Sequence, residues 1–227
     1  MARVALLTSA EKVFAELGLE RAKVEDIAKM AGLSKGAFYL HFESKDAAFR
    51  QVVESFLARS AELMECNDEA PLDCIKSVSA RELLTGWLQK DIEIFEYFWA
   101  NRRLVRMVRS CSGNVFYILD AFRTRGAERV SKLIRYLQES GVFRTDFDPE
   151  MGAVLMMGGY YELTSRLVAL ETKPDIHSWL VEVQRMFVRT FAVPSVVRIS
   201  QSLSTDRPVN RSPVHASRAK RNVAVTS

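Results

Sequence analysis

The sequence predicts an all-α fold on three observations. Apolar residues recur at three- and four-residue spacing through most of the chain, no run of alternating polar and apolar residues has strand character, and the interruptions fall at residues that start or stop helices. About nine helices are expected in two unequal parts: a head of three helices within residues 1–46 and a larger helical domain over 47–194. Residues 195–227 show no periodicity and too little apolar surface to offset the entropy of ordering, so a basic, disordered tail is expected there.

In the head, Leu6, Ala10, Val13, Phe14 and Leu17 make one stripe of a first helix over about Arg3–Leu17, and Gly18 is placed to end it. A second helix runs from Val24 to Ala31, Gly32-Leu33 forms a turn, and Ser34 caps a third helix that reaches about Phe42. Ser44 caps a fourth, with Phe49, Val52, Val53 and Phe56 as its stripe. The polar stretch from Cys66 to Val78, which includes Pro71, separates these helices from the rest.

The larger part opens on a capping box, Ser79-Ala-Arg-Glu82, followed by a long helix carrying Leu84, Trp87, Leu88, Phe95 and Phe98. Asn101 is expected to cap the next short helix, Gly113-Asn114 the one after, and Gly141 to end it. Asp148-Pro149 supplies the residue types wanted at the N-cap and first position of a helix to about Leu170. Lys173-Pro174-Asp175 then restarts the last helix, with Ile176, Leu180, Val183, Phe187 and Phe191 on one face before Pro194.

The formal charge of +4 says little about the folded part, because six Lys or Arg and one Asp lie in residues 195–227 and the remainder sums to −1. Any argument for a nucleic-acid partner has to rest on local geometry. Cys66, Cys74 and Cys111 lack a Cys-x-x-Cys spacing, and His41, His177 and His215 are far apart, so no disulfide framework, metal site or cofactor is expected. No secretory segment or run of about 18 apolar residues is present, which points to a cytoplasmic protein without membrane contact. Paired carboxylates, a Ser/His/Asp order and a phosphate loop are also missing, which argues against an enzyme.

The stretch from Val24 to Phe42 carries the most information. Ile27, Ala28, Ala31, Leu33, Phe38 and Phe42 are spaced to pack two short helices across the Gly32 turn, a helix-turn-helix. With Phe38 and Phe42 turned inward, the other side of the third helix presents Gly36, Ala37 and Leu40, with Lys35, Tyr39 and His41 beside them. That slim face suits the major groove of double-stranded DNA. Lys23, Ser34, Gly36, Tyr39, His41 and Lys45 are expected at the DNA backbone, where amides, hydroxyls and cations meet phosphate. Lys35 can reach guanine O6 and N7, while Ala37 and Leu40 offer surface to thymine methyls.

Asp26-Ile27-Ala28-x-x-Ala31-Gly32-Leu33-Ser34-Lys35-Gly36-Ala37-Phe38-Tyr39-Leu40-His41-Phe42-x-Ser44-Lys45, together with Ala10, Phe14 and Gly18, resembles the tetracycline-repressor (TetR) family of bacterial transcription regulators over about residues 4–56. The resemblance implies an all-helical homodimer, with a divergent C-terminal domain for effector binding and dimerisation through its last two helices. It further implies a repressor that leaves a pseudo-palindromic operator when a small-molecule effector binds. An effector-independent or architectural DNA binder stays open as the alternative. The chain departs from the family where Ala22-Lys23 stand in place of hydroxyl residues and where Ala37 replaces Thr or Ser, which affects the operator sequence more than the binding mode.

Phe95, Phe98, Trp99, Met107, Phe116, Leu119, Phe122, Met156 and Tyr160 are the candidates for lining a largely apolar effector pocket, with most of them equally suited to an ordinary core. Arg102, Arg103, Arg106 and Arg109 make a basic short helix, either a solvated face paired with Glu93 and Glu96 or a site for an anionic head group. Gly152, Gly158 and Gly159 inside a helix imply close approach of another helix, and a four-helix dimer contact built from residues 149–170 and 175–192 is expected.

Overall fold

The computed structural model describes residues 1–64, 78–110 and 116–204. Ten helices lie among them: α1 (Ala2–Arg21), α2 (Val24–Met30), α3 (Lys35–Tyr39), α4 (Lys45–Met64), α5 (Ala80–Ala100), α6 (Arg102–Ser110), α7 (Phe116–Glu139), α8 (Pro149–Ala169), α9 (Ile176–Phe191) and α10 (Pro194–Ser204). Extended pairing among the described residues is limited to an isolated bridge between Phe143 and Ala192. The three cysteines and Gly113-Asn114 lie outside the described residues.

Local chemistry sets most of the helix starts. Ser34 Oγ accepts from the Ala37 amide at 3.1 Å and Ser44 Oγ from the Ala47 amide at 3.0 Å, each satisfying a donor that the first turn leaves unpaired. Ser79 and Glu82 form the reciprocal capping box. Asp148 accepts from the amides of Glu150 and Met151 ahead of Pro149.

Gly18, at φ +75°, breaks the first helix where its end was expected, and one further turn follows to Arg21. Three expectations are corrected. Asn101 caps backward: its side-chain amide donates to the Tyr97 carbonyl of α5 at 2.9 Å, and α6 starts beyond it with no side-chain cap from Asn101. Residues 194–204 are helical where disorder was expected, because Val196 is buried against Val188, Phe191 and Ala192; residues 205–227 lie outside the described residues. Gly152 serves packing inside the chain, since a Cβ there would sit 2.8 Å from the Phe147 ring and 3.1 Å from Ile134.

One apolar cluster runs from Leu6 and Phe14 through Phe49 and Phe56 to Phe98, Leu104 and Val108. The head is therefore sealed against α5 and α6. Phe14 meets Phe49 edge-on at 5.2 Å, and Phe56 stacks on Tyr97 at 5.6 Å, which ties α4 to α5. A second cluster joins Leu84, Ile134, Leu137, Phe143, Met156, Val188 and Phe191 across α5, α7, α8, α9 and the loops between them. No helix among the described residues is long and apolar enough to cross a membrane.

Candidate nucleic-acid interface

Helix α3, the expected reading helix, is only five residues long and has one fully buried anchor, Phe38. Its ring packs edge-on against Tyr39 at 5.4 Å and tilted against Phe42 at 5.3 Å. With that side sealed, Leu40 is left 83% exposed and Tyr39 50% exposed, and Ser34, Lys35, Gly36 and His41 are exposed beside them; Ala37 is half-buried. A leucine held this far into solvent on a polar head contributes nothing to the core and leaves an apolar tip for a partner. Gly32, at φ +69°, makes the turn that brings α2 and α3 together; a side chain there would force a left-handed backbone.

Three cations behave differently from one another. Lys23 is exposed at the start of α2. Lys35 pairs with Glu25 of α2 at 2.7 Å, a contact that the sequence reading missed because it crosses between helices with no local spacing rule. That hydrogen bond pulls the Glu25 carboxyl below, and pushes the Lys35 ammonium above, the ordinary value. Lys45 is half-buried, and its ammonium donates to the Ala22 carbonyl at 3.1 Å and the Glu20 carbonyl at 3.4 Å, closing the end of α1.

The proposed pocket residues are only partly brought together. Phe95, Phe98, Trp99, Met107, Leu119, Phe122 and Tyr160 belong to the cluster that includes the head, whereas Met156 sits in the second cluster. Phe116 opens α7, and its side chain is outside the described residues. A polar group missing from the sequence reading lies at their edge. The Trp87 indole donates to Tyr160 Oη at 3.1 Å, and that hydroxyl donates to the Asp91 carboxylate. Burial with no cation beside it pushes the Asp91 carboxyl up to about 7. A separate open cleft of about 120 Å³ lies between α1 and the α5–α6 junction, lined by Glu11, Lys12, Asn101, Arg102 and Arg103 among others.

Against this geometry, residues 6–52 match the model of the family described as "Bacterial regulatory proteins, tetR family". Over those residues the chain is similar to that family. The chain is 40% identical over 55 residues to the HTH-type transcriptional regulator YvdT of Bacillus subtilis, covering 24% of this chain and 28% of that protein. It is 28% identical over 153 residues to the HTH-type transcriptional repressor KstR2 of Mycolicibacterium smegmatis, covering 64% and 69%. The chain thus spans about a third or less of the first relatives' length. Among solved structures it resembles SmeT, the repressor of the Stenotrophomonas maltophilia multidrug efflux pump SmeDEF, with TM-score 0.62, 20% identity, and coverage of 86% of this chain and 92% of SmeT. SmeT has also been solved as a complex with triclosan. At that identity the likeness outside the head is one of fold.

Proposed function

We propose that this chain is a sequence-specific DNA-binding regulator of transcription, acting in the cytoplasm as a homodimer and most simply as a repressor whose grip on a pseudo-palindromic operator is changed by a small-molecule effector. The observation that carries the reading is the exposed ridge of α3, with Leu40 held out in solvent while Phe38 is fully buried behind it. Gly36, Ala37 and Leu40 lie along the floor of the major groove, Lys35 reaches a guanine, and Lys23, Ser34, Tyr39 and His41 hold phosphates. Lys45, tied to the end of α1, is placed to add a further phosphate contact.

The dimer reading has its own support. Met151, Val154 and Leu155 of α8 and Met186 of α9 are all more than half exposed, and a Cβ at Gly158 meets nothing within 4 Å. An apolar stripe of this kind across two neighbouring helices fits an isologous four-helix contact with a second copy. Two reading helices then lie about 34 Å apart, or a small multiple of that, which requires a two-fold-related operator. The effector reading draws on the half-buried aromatics between α5, α6, α7 and α8 and on the complex that SmeT forms with triclosan.

Selection of fragments bound by purified protein from its own genome tests the reading. Recovery of a small set sharing an inverted repeat is the expected result; recovery no better than that of random duplex overturns it.

A further inference from the structure

Tyr161 of α8 carries two guanidinium groups from two other helices. Arg109 of α6 lies 3.9 Å from the ring centroid and Arg123 of α7 lies 4.5 Å from it. Arg109 also donates to the Tyr161 carbonyl at 3.4 Å. No carboxylate among the described residues pairs with either. Asp120 and Glu128, the acids nearest Arg123 on α7, form no ion pair with it, and three acids of α5 and α8 are taken by other cations: Glu93 by Lys90, Glu96 by Lys173 and Glu162 by Arg166. Two like charges therefore share one aromatic ring with most of their N–H donors unused. A cation–π contact is worth about 0.5–1 kcal/mol at an exposed site, too little to explain bringing both there against their mutual repulsion.

The surroundings are apolar on one side. Met107, Leu119 and Phe122 are half-buried against the large core cluster, and Leu119 stands four residues before Arg123 on the same helix. A surface pair of guanidiniums next to a partly open aliphatic and aromatic wall has the polarity of an amphiphile's binding site.

We infer that Arg109, Arg123 and Tyr161 form the head-group end of the effector site, and that the effector is a single-chain anion: a phosphate or carboxylate bridging the two guanidiniums, with its apolar body entering past Met107, Leu119 and Phe122. Such a group accepts hydrogen bonds from both guanidiniums at about 2.8 Å, around the edge of the ring that they share. The inference rests on the effector reading above but not on operator binding. It also relocates the sequence-level idea of an anion site on α6: Arg103 and Arg106 are exposed on its outer side, whereas Arg109 turns to α8.

The test uses the full chain without DNA and two probes, decyl phosphate below its micelle concentration and decanol below its solubility limit, followed by titration calorimetry. The wild-type protein is expected to bind decyl phosphate at least tenfold tighter than decanol, with the difference shrinking as salt is raised. R109A/R123A is expected to bind both alike, and R106A to keep the wild-type preference. Inorganic pyrophosphate added to the wild type is expected to compete with decyl phosphate but not with decanol, which decides the matter if the double variant does not fold. Equal binding of the two probes, binding of neither, a preference that survives in folded R109A/R123A, or sedimentation with phosphatidylglycerol vesicles without binding of monomeric decyl phosphate each overturns the inference. Because DNA is absent, failure here leaves the operator reading standing, and failure to find an operator leaves this result standing.

Discussion

Lys35 Nζ, the first side chain of the reading helix, lies 2.7 Å from Glu25 Oε1 on the helix before it. Both side chains are more than half exposed, so the pair adds little to folding. Its consequence falls on DNA binding. Glu25 holds the ammonium on the α2 side, and in the proposed complex it adds a negative charge beside the phosphates, so that binding to any duplex first has to break or share this pair. E25Q is expected to bind random duplex severalfold tighter, with a salt dependence steeper by about one counterion, while the ratio of selected to random affinity falls. Fluorescence anisotropy over a range of salt checks both.

Phe38 is the fully buried support behind the ridge. F38A removes a ring that packs against Tyr39 and Phe42, at a cost of about 3–5 kcal/mol. Thermal unfolding is expected to show the loss, and DNA binding to disappear at temperatures where the rest of the chain is still helical.

The Asp91 carboxyl titrates near 7 in the folded chain because burial disfavours its charge, while the unfolded chain releases that proton near the ordinary value of 3.8. Between those two values the folded state holds the proton and the unfolded state does not. Stability contributed by this group is therefore full at low pH and declines as pH rises through about 7. D91N, which keeps an acceptor for Tyr160 without the charge, is expected to be more stable than wild type at pH 8 by roughly 2–4 kcal/mol and to differ little at pH 4. Melting temperatures across that range measure the difference.

Much of the head was legible because its signals are local. The Ser34, Ser44, Ser79 and Asp148 caps act within three residues of themselves, and the Gly32 turn and the Phe38/Phe42 spacing need only helix geometry. What escaped was set by partners distant in sequence. α10 has few apolar residues, and it folds because Val196 finds Phe191 and Ala192. The carbonyls that Lys45 binds are more than twenty residues upstream, beyond any local signal. The Trp87–Tyr160–Asp91 chain joins α5 to α8, and no periodicity reports a carboxylate bound to a hydroxyl seventy residues away.

For the dimer, L155E places a charge in the exposed apolar stripe of α8 without touching the core. Sedimentation at micromolar concentration is expected to find a dimer for wild type and a monomer for L155E, each with the same melting curve at low concentration. The monomer is expected to lose affinity for a two-fold operator by at least tenfold and to keep its affinity for random DNA.

The central claim is that the α3 ridge reads base edges, and Leu40 is its most exposed apolar residue. The most direct measurement compares wild type and L40A on a genome-selected duplex and on random duplex at moderate salt. The account predicts an unchanged melting temperature, unchanged affinity for random DNA, and at least a tenfold loss of preference for the selected duplex. A preference for the selected duplex that L40A leaves intact would contradict it.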